Sequence, residues 1–277
     1  MAHDEIFLKK HEDKRLRQGH LWVFSNEIDT KRSPLEQFAP GDLVQVKTDE
    51  GKVMGTAYIN PQSLVCARLL SRKGNLKCGS NFFKERISTA LVLREKLFDK
   101  PYYRLVYGES DGLPGLVIDR FGSVLSVQIT TAGIELRKDS LIAALHELLS
   151  PTAIVLKNDN SQRQLEGLGT ESQIVYGQLP DPLIIEENGV KFKIDVMGGQ
   201  KTGWFYDQRD NRTRLARYVA GVLPAAIHAN ATGRGLICPA KQGPEAAWAG
   251  EVEVLAPGNL LALINHFKGT QVLTPPA

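Results

Sequence analysis

The sequence predicts an α+β protein built from a small N-terminal β-barrel, a compact α+β unit and a compositionally distinct tail. Three observations predict it. From Glu5 to about Lys77 short apolar stretches alternate with turn residues; from Tyr103 to Val196 similar stretches flank one long amphipathic run; beyond Val222 charge almost disappears. Evenly spaced short strands between Gly- and Pro-rich turns signal a barrel, whereas strands beside a 3.6-residue period signal a mixed layer.

In the first region the strand candidates are 21–24, 43–46, 53–59 and 64–70, divided by Ser33-Pro34, Pro40-Gly41, Glu50-Gly51 and Asn60-Pro61. Spacing of this kind suits a small barrel. Residues 81–100 then change period, with Phe83, Ile87, Ala90, Leu91 and Leu97 on one face, and read as a helix linking two domains. In the middle region 105–107, 116–119, 124–130, 154–156, 174–176, 183–187 and 190–196 are strand candidates. Residues 134–149 form one helix closed by Pro151. Asp119-Arg120-Phe121-Gly122 and Glu187-Asn188-Gly189 read as hairpin turns. So many strands around one helix favour α+β over a parallel doubly wound sheet.

The tail differs in kind. Leu223 to Ala277 carries three basic and three acidic residues among 55, against 59 charged residues in the 222 before it. Only 259–267 shows a helical face, and the rest is expected to be loosely structured.

Whole-chain numbers set modest bounds. With 34 Lys and Arg against 31 Asp and Glu, the net charge of +3 does not by itself demand a polyanionic partner. Cys66, Cys78 and Cys238 have no metal or disulfide spacing, and six scattered His give no metal site. No apolar run approaches the roughly 20 residues needed to span a bilayer, and residues 1–14 are charged rather than signal-like, so a reducing cytoplasm is expected.

Two stretches carry chemistry. Lys9, Lys10, His11, Lys14, Arg15 and Arg17 precede Gly19-His20-Leu21-Trp22-Val23-Phe24, setting cations beside aromatic rings, as phosphate neutralisation and base stacking require. Lys14, Arg15, Arg17, His20 and Trp22 are the RNA-binding candidates; the structural alternative puts Trp22 and Phe24 on the buried face of one strand. The second stretch runs from Gly198 to Arg212. There Gly203 would leave backbone open to a ligand, Trp204 and Tyr206 offer ring faces, and Lys201 and Arg209 suit a carboxylate or phosphate.

These motifs, with Tyr107-Gly108-Glu109-Ser110-Asp111-Gly112-Leu113-Pro114-Gly115 and Asp119-Arg120-Phe121-Gly122 between them, resemble class I SAM-dependent ribosomal RNA methyltransferases. The nearest group is the large-subunit cytosine-C5 methyltransferase I family. The resemblance covers about residues 5–220. It implies a PUA-like RNA-binding barrel at 1–78, a linker helix at 79–100, a central α+β domain at 101–197 and the start of a Rossmann-like methyltransferase domain at 198–221. It also implies S-adenosyl-L-methionine as cofactor, ribosomal RNA as partner, and Lys201, Thr202, Tyr206, Asp207, Gln208 and Arg209 at the cofactor's edge. Asp111 to Gly115 reads as a tight turn more readily than as an acid/base pair.

The pattern then stops. A strand with a Gly-rich loop should begin near Val222, yet Val222-Leu223 meets Pro224, and Gly233-Arg234-Gly235 with Glu253 lacks a preceding strand and a third glycine. No Asp-Pro-Pro-type motif or activated Cys follows; Cys238-Pro239 has no neighbour to make a thiolate. The expectation is a remnant in place of the Rossmann-like domain at 222–277, an RNA-binding chain inactive alone, and exposed apolar surface favouring self-association such as a homodimer. Completion of an active methyltransferase by a partner subunit, or a purely non-catalytic RNA-binding module, are the alternatives.

Overall fold

The structure is a computed structural model and describes residues 3–216 and 222–276. The chain divides into two compact units, Met1–Tyr206 and Asp207–Ala277, each taken by itself.

The first unit opens with strand β1 (Asp4–Phe7), helix α1 (Lys14–Arg17), β2 (Trp22–Val23), β3 (Leu43–Lys47), β4 (Val53–Ile59) and β5 (Ala67–Ser71). They form one five-stranded sheet in the order β1-β3-β4-β5-β2, with β1 parallel to β3 and the other pairs antiparallel. Alternation supplies the core: Ile6, Val23, Val44, Val46, Ala57, Ile59 and Leu69 are all buried in one cluster with Leu16 of α1. The last strand begins at Ala67, not at 64, because Leu64 is exposed and lies in the preceding turn.

Helix α2 (Ser80–Leu97) follows, burying Phe82, Phe83, Ile87 and Ala90 but leaving Leu97 exposed, so its apolar face is shorter than the sequence suggests. The central sheet comprises β6 (Tyr102–Tyr107), β7 (Leu116–Phe121), β8 (Val124–Ile129), β9 (Ala153–Leu156) and β10 (Gln173–Gly177), in the order β10-β9-β8-β7-β6. Only β8 and β9 are parallel; the connection between them carries α3 (Ala132–Glu135) and α4 (Lys138–Leu149). The helix expected at 134–149 is thus two helices. The second places Leu141, Ala144 and Leu145 in the core and ends at Ser150 in the left-handed region before Pro151. A side chain at Gly133 would overlap the ring of Tyr58, its Cβ falling 2.1 Å from Cγ, so barrel and central sheet meet at a position that only glycine fits.

Short helix α5 (Gln162–Leu165) precedes β10, and hairpin β11 (Leu183–Glu187) with β12 (Val190–Ile194) closes on Asn188-Gly189, both at positive φ. The other expected turn is corrected: Asp119, Arg120 and Phe121 belong to β7, and the reversal uses Gly122-Ser123. Asp119 is thereby a fully buried strand residue.

The second unit contains α6 (Arg209–Ala216), α7 (Val222–Ala231), β13 (Leu236–Ile237), α8 (Gly243–Ala247), β14 (Val254–Leu255) and α9 (Leu260–Phe267). Helix α6 follows the Gly-rich turn, and residues 217–221 lie outside the described residues. The tail is more ordered than its composition suggests: Val222, Ala226, Cys238, Ala246 and Val254 close a small core, and β13 pairs in parallel with β14. Pro224 sits in the first turn of α7, where its missing N–H has no intrahelical partner to lose. Helix α9 matches the one tail helix expected, with Asn259 Oδ1 accepting from Ala262 N at 2.9 Å as its cap.

Candidate functional site

The first unit contains a cleft of about 950 Å³ between the barrel and the central sheet. Trp22 of β2 forms one wall with Arg68 of β5; Tyr107, Glu109 and Ser110 form the other. The loop before α5 supplies Asp159 and Asn160 together with Glu166 beyond it, and Lys201 arrives from the Gly-rich turn. Three motifs separated by about 180 residues therefore meet in one place.

A specific bond joins the first two. The Trp22 indole Nε1 donates to Glu109 Oε1 at 2.7 Å across 87 residues of chain. The edge of the Trp22 ring stands against Phe24, centroids 6.5 Å apart, and the residue is 40% exposed. Val23, not Trp22 or Phe24, is the residue that β2 buries, so the core alternative for these aromatics is overturned by the phase of the strand. His20 is exposed and lines a smaller recess of about 410 Å³ with Leu21, Trp22 and Glu109; its carbonyl accepts from Arg72 Nη2 at 3.1 Å.

The cations of α1 differ from one another. Arg15 Nη1 donates to Glu27 Oε1 at 2.9 Å and its guanidinium lies 4.9 Å from the Phe24 ring centroid; Arg17 is paired with Asp13. Lys14 is exposed with no carboxylate partner among the described residues.

Glu166 explains how the cleft is held open. Nearly fully buried, it accepts from Arg68 Nη1 at 3.0 Å and from Asn60 Nδ2 at 2.7 Å, so two barrel residues are fixed to the central unit. A buried carboxylate needs such partners, and both here come from across the boundary. In the lining of the cleft the Asn160 amide is enclosed without a hydrogen-bond partner among the described residues. None of Arg68, Asn160 or Glu166 carries a sequence signal: each is a single polar residue that only tertiary folding brings to the site.

The Gly-rich segment is built as a turn. Asp195 accepts from Gly198 N (2.8 Å, Oδ1) and, through its carbonyl, from Gly199 N (3.0 Å). Lys201 adopts φ of 52°, in the left-handed region, and its Nζ lies 5.1 Å from the Phe205 ring centroid. A Cβ on Gly203 would come within 3.0 Å of Val196 Cα, so this glycine serves close packing against its own chain rather than access for a ligand. Thr202 is fully buried and its hydroxyl donates to Asp119 Oδ2, while Arg104 holds both oxygens of Asp119 at 2.9 and 3.0 Å. Tyr206 donates its hydroxyl to the Arg120 carbonyl at 2.7 Å and stacks on Phe121. These hydroxyls latch the turn to β7. Asp207, Gln208 and Arg209 belong to the second unit, where Tyr206–Gln208 is a single 3-10 turn leading into α6 and Gln208 Oε1 accepts from Asn211 Nδ2 at 2.8 Å.

The acids of the middle motif are likewise placed by the fold. Asp111 Oδ2 accepts from Arg94 Nη2 at 2.7 Å and Tyr107 N at 2.6 Å, closing the turn in which Gly112 and Gly115 have φ of 69° and 77°. The thiols are protonated at neutral pH: burial pushes Cys66 and Cys78 up to about 11 and also raises Cys238. His146 bonds Tyr176 at 2.9 Å in the central unit. Among the described residues no three His, Cys, Asp or Glu side chains could together hold a metal ion, and no helix is long and apolar enough to cross a membrane.

In the second unit β13 and β14 form a short parallel pair. Strand β13 runs into Cys238-Pro239, and Pro239 has no N–H to offer a carboxylate or phosphate. A Cβ on Gly243 would meet Ala256 Cβ at 2.7 Å, and one on Gly235 would meet the Glu253 carbonyl at 3.2 Å. Gly235 and Gly243 thus face protein, whereas Gly233, at φ of 64°, and Gly258 have no atom within 4 Å of a built Cβ.

Residues 6–72 match a family described as a PUA-like domain. The Ribosomal RNA large subunit methyltransferase I of Aliivibrio fischeri (strain MJ11) is 37% identical over 218 residues, which is 77% of this chain and 54% of that protein. Its namesake from Cronobacter sakazakii is 38% identical over the same shares. The chain thus spans about half the length of the curated relatives it matches. A putative SAM-dependent methyltransferase from Streptococcus mutans has a similar fold, with TM-score 0.64 and 20% identity over 96% of this chain and 73% of that one. A putative methyltransferase solved in complex with SAH matches at TM-score 0.64 and 19% identity, over 98% and 68%. Likeness over so much of the chain takes in most of the tail, which is therefore not simply a loose remnant. By the 218-residue match and its PUA-like barrel, this α+β chain is similar to ribosomal RNA large subunit methyltransferase I over about half of that protein's length.

Proposed function

We propose that this chain binds ribosomal RNA through its PUA-like barrel and the adjoining cleft, and that residues 207–276 do not by themselves complete a SAM-dependent cytosine-C5 methyltransferase. The convergence of Trp22, Glu109 and Lys201 on one cleft carries the first half. Gly235 and Gly243, which pack against protein beside the β13–β14 pair, support the other half. In this reading the domains are the barrel at 1–78, the linker helix at 79–100, the central unit at 101–197, the approach to a methyltransferase domain at 198–221, and the divergent tail from 222 onward, in a cytoplasmic protein. The cofactor implied by the relationship is S-adenosylmethionine, with Lys201, Thr202, Tyr206, Asp207, Gln208 and Arg209 at its edge. When bound, it would supply the methyl group. The chain's own contribution is to hold Lys201 in place through the Thr202–Asp119–Arg104 latch.

A second reading, in which a partner subunit or a second copy completes the site, is favoured by the exposed apolar residues Leu260, Leu261 and Phe267 on α9 and by Trp248.

Titration calorimetry with S-adenosylmethionine tests the cofactor half: no heat is expected for the chain alone, and micromolar binding overturns it. Binding of ribosomal RNA fragments across a salt series tests the other half. Affinity should fall steeply with salt, and Lys14→Ala should flatten the log–log slope by about 0.7–0.9, the share of one phosphate contact. Arg15→Ala and Arg17→Ala should do less, since their charges are already paired. Salt-independent or absent binding rejects the RNA assignment.

A further inference from the structure

We infer that the cleft between barrel and central sheet seats one unstacked nucleotide of a single-stranded RNA, base inside and phosphate at the Lys201 mouth. This rests on the RNA-binding reading and goes further by naming what the cleft takes. Its lining is wrong for a purely phosphate ligand: Glu109, Asp159 and Glu166 outnumber Arg68 and Lys201, and Arg68 is already committed to Glu166. Lys201 is the one lining cation without a carboxylate partner among the described residues, so at most one phosphate is accommodated.

The remaining chemistry suits a flat, neutral group with hydrogen-bonding edges. Trp22 and Tyr107, 40% and 56% exposed, both present rings to the cleft. A base stacked on such a ring is recognised through its π-face whatever its identity. The edge of the base needs donors and acceptors, and Gln62, Gln128 and Asn160 line the same space. The independent observation is Asn160 in the cleft lining, whose amide nitrogen and oxygen are both enclosed with no protein partner among the described residues. Enclosed and unpaired, such groups destabilise the empty protein, and they gain their bonds when a polar edge enters. The volume of about 950 Å³ lies at the upper end of small-ligand pockets, enough for a base with its sugar.

The test uses the full chain and a fluorescein-labelled eight-nucleotide single-stranded oligoribonucleotide of mixed sequence, beside the same strand with its three central bases removed. Base removal should weaken binding by the wild type about tenfold, within the range of one stacked base. Trp22→Ala should weaken the intact strand similarly and leave the abasic strand unchanged, while Trp22→Phe retains most of the affinity. Asn160→Ala separates a binding role from a structural one: it should lower affinity for the intact strand several-fold while leaving the unfolding midpoint unchanged or raised, because it removes an unpaired amide. Lys14→Ala should weaken both strands alike. Should Trp22→Ala and Asn160→Ala affect intact and abasic strands equally, or neither, the cleft assignment is overturned while salt-dependent RNA binding stands. Failure of both strands to bind overturns the RNA reading and the cleft with it.

Discussion

The two units bury different things. The first encloses charge: Asp119 is fully buried between Arg104 and Thr202, Glu166 lies between Arg68 and Asn60, and Lys157, 2% exposed, donates to Asp159 at 2.6 Å and to the Met197 carbonyl at 2.7 Å. The second closes a small core of Val222, Ala226, Cys238, Ala246 and Val254, with Leu236, Ala249, Val252 and Ala256 partly buried beside them. Trp248 there is 83% exposed. Buried polar networks admit few alternative arrangements, since every displacement leaves a charge unpaired. Small apolar contacts impose no such restriction. A functional cleft is therefore held to tight tolerances in the first unit, and the second should open locally at lower free energy.

The largest expected effect breaks that comparison at its centre. Asp119→Ala removes from a fully buried strand position the carboxylate that accepts from both Arg104 and Thr202, so the first unit should lose about 3–5 kcal/mol. Urea unfolding followed by tryptophan fluorescence measures it; a loss below about 1 kcal/mol would mean that the latch is ornamental. Gly133→Ala comes next. Its new Cβ falls 2.1 Å from the Tyr58 ring, whose hydroxyl is tied to the Pro114 carbonyl at 2.8 Å, so the ring cannot swing away without losing a buried bond. Overpacking of this kind costs about 1–3 kcal/mol, read from the same unfolding curves.

Asp119 also shows what sequence reading can and cannot reach. Period and turn chemistry located most strands, the linker helix and the Asn188-Gly189 hairpin, because those signals are local. Asp119-Arg120-Phe121-Gly122 looks like a turn for the same local reason, yet Arg104 and Thr202 supply the partners that let an aspartate lie inside a central strand. Those partners are 15 and 83 residues away, beyond any local window. The cleft repeats the pattern. Trp22, Glu109 and Lys201 each stand in a recognisable motif, and only the fold shows that they line one cleft. Arg68, Asn160 and Glu166 have no motif at all. In the tail the low charge suggested looseness, whereas small residues proved able to close a core of their own.

A smaller effect follows from the thiols. Cys66 and Cys78 are held as thiols up to about pH 11 in the folded first unit, against an ordinary value of 9.0. With the folded value raised, the unfolded chain releases its protons first, so stability is complete below about pH 9 and declines toward pH 11. Urea midpoints at pH 8, 9 and 10 should fall over the last step, and Cys66→Ala should lessen the fall. Both residues lie in the first unit, so the decline should appear in that unit's transition; equal loss in the second would show that the two do not unfold separately.

The smallest effect tests the exposed side of the comparison. Trp248 contributes almost nothing to the small core, so Trp248→Ser should alter stability by less than about 0.5 kcal/mol. What it should change is association. Trp248, Leu260, Leu261 and Phe267 expose large apolar side chains on one small unit, and such surface is retained at a cost in solubility unless something covers it. Sedimentation velocity over a concentration series should show less self-association in Trp248→Ser than in the parent chain, with RNA affinity unchanged because every residue of the cleft lies in the first unit. A parent chain monomeric at all concentrations would argue instead for a partner of different sequence. A substitution that lowered RNA affinity would show that the two units act on RNA together.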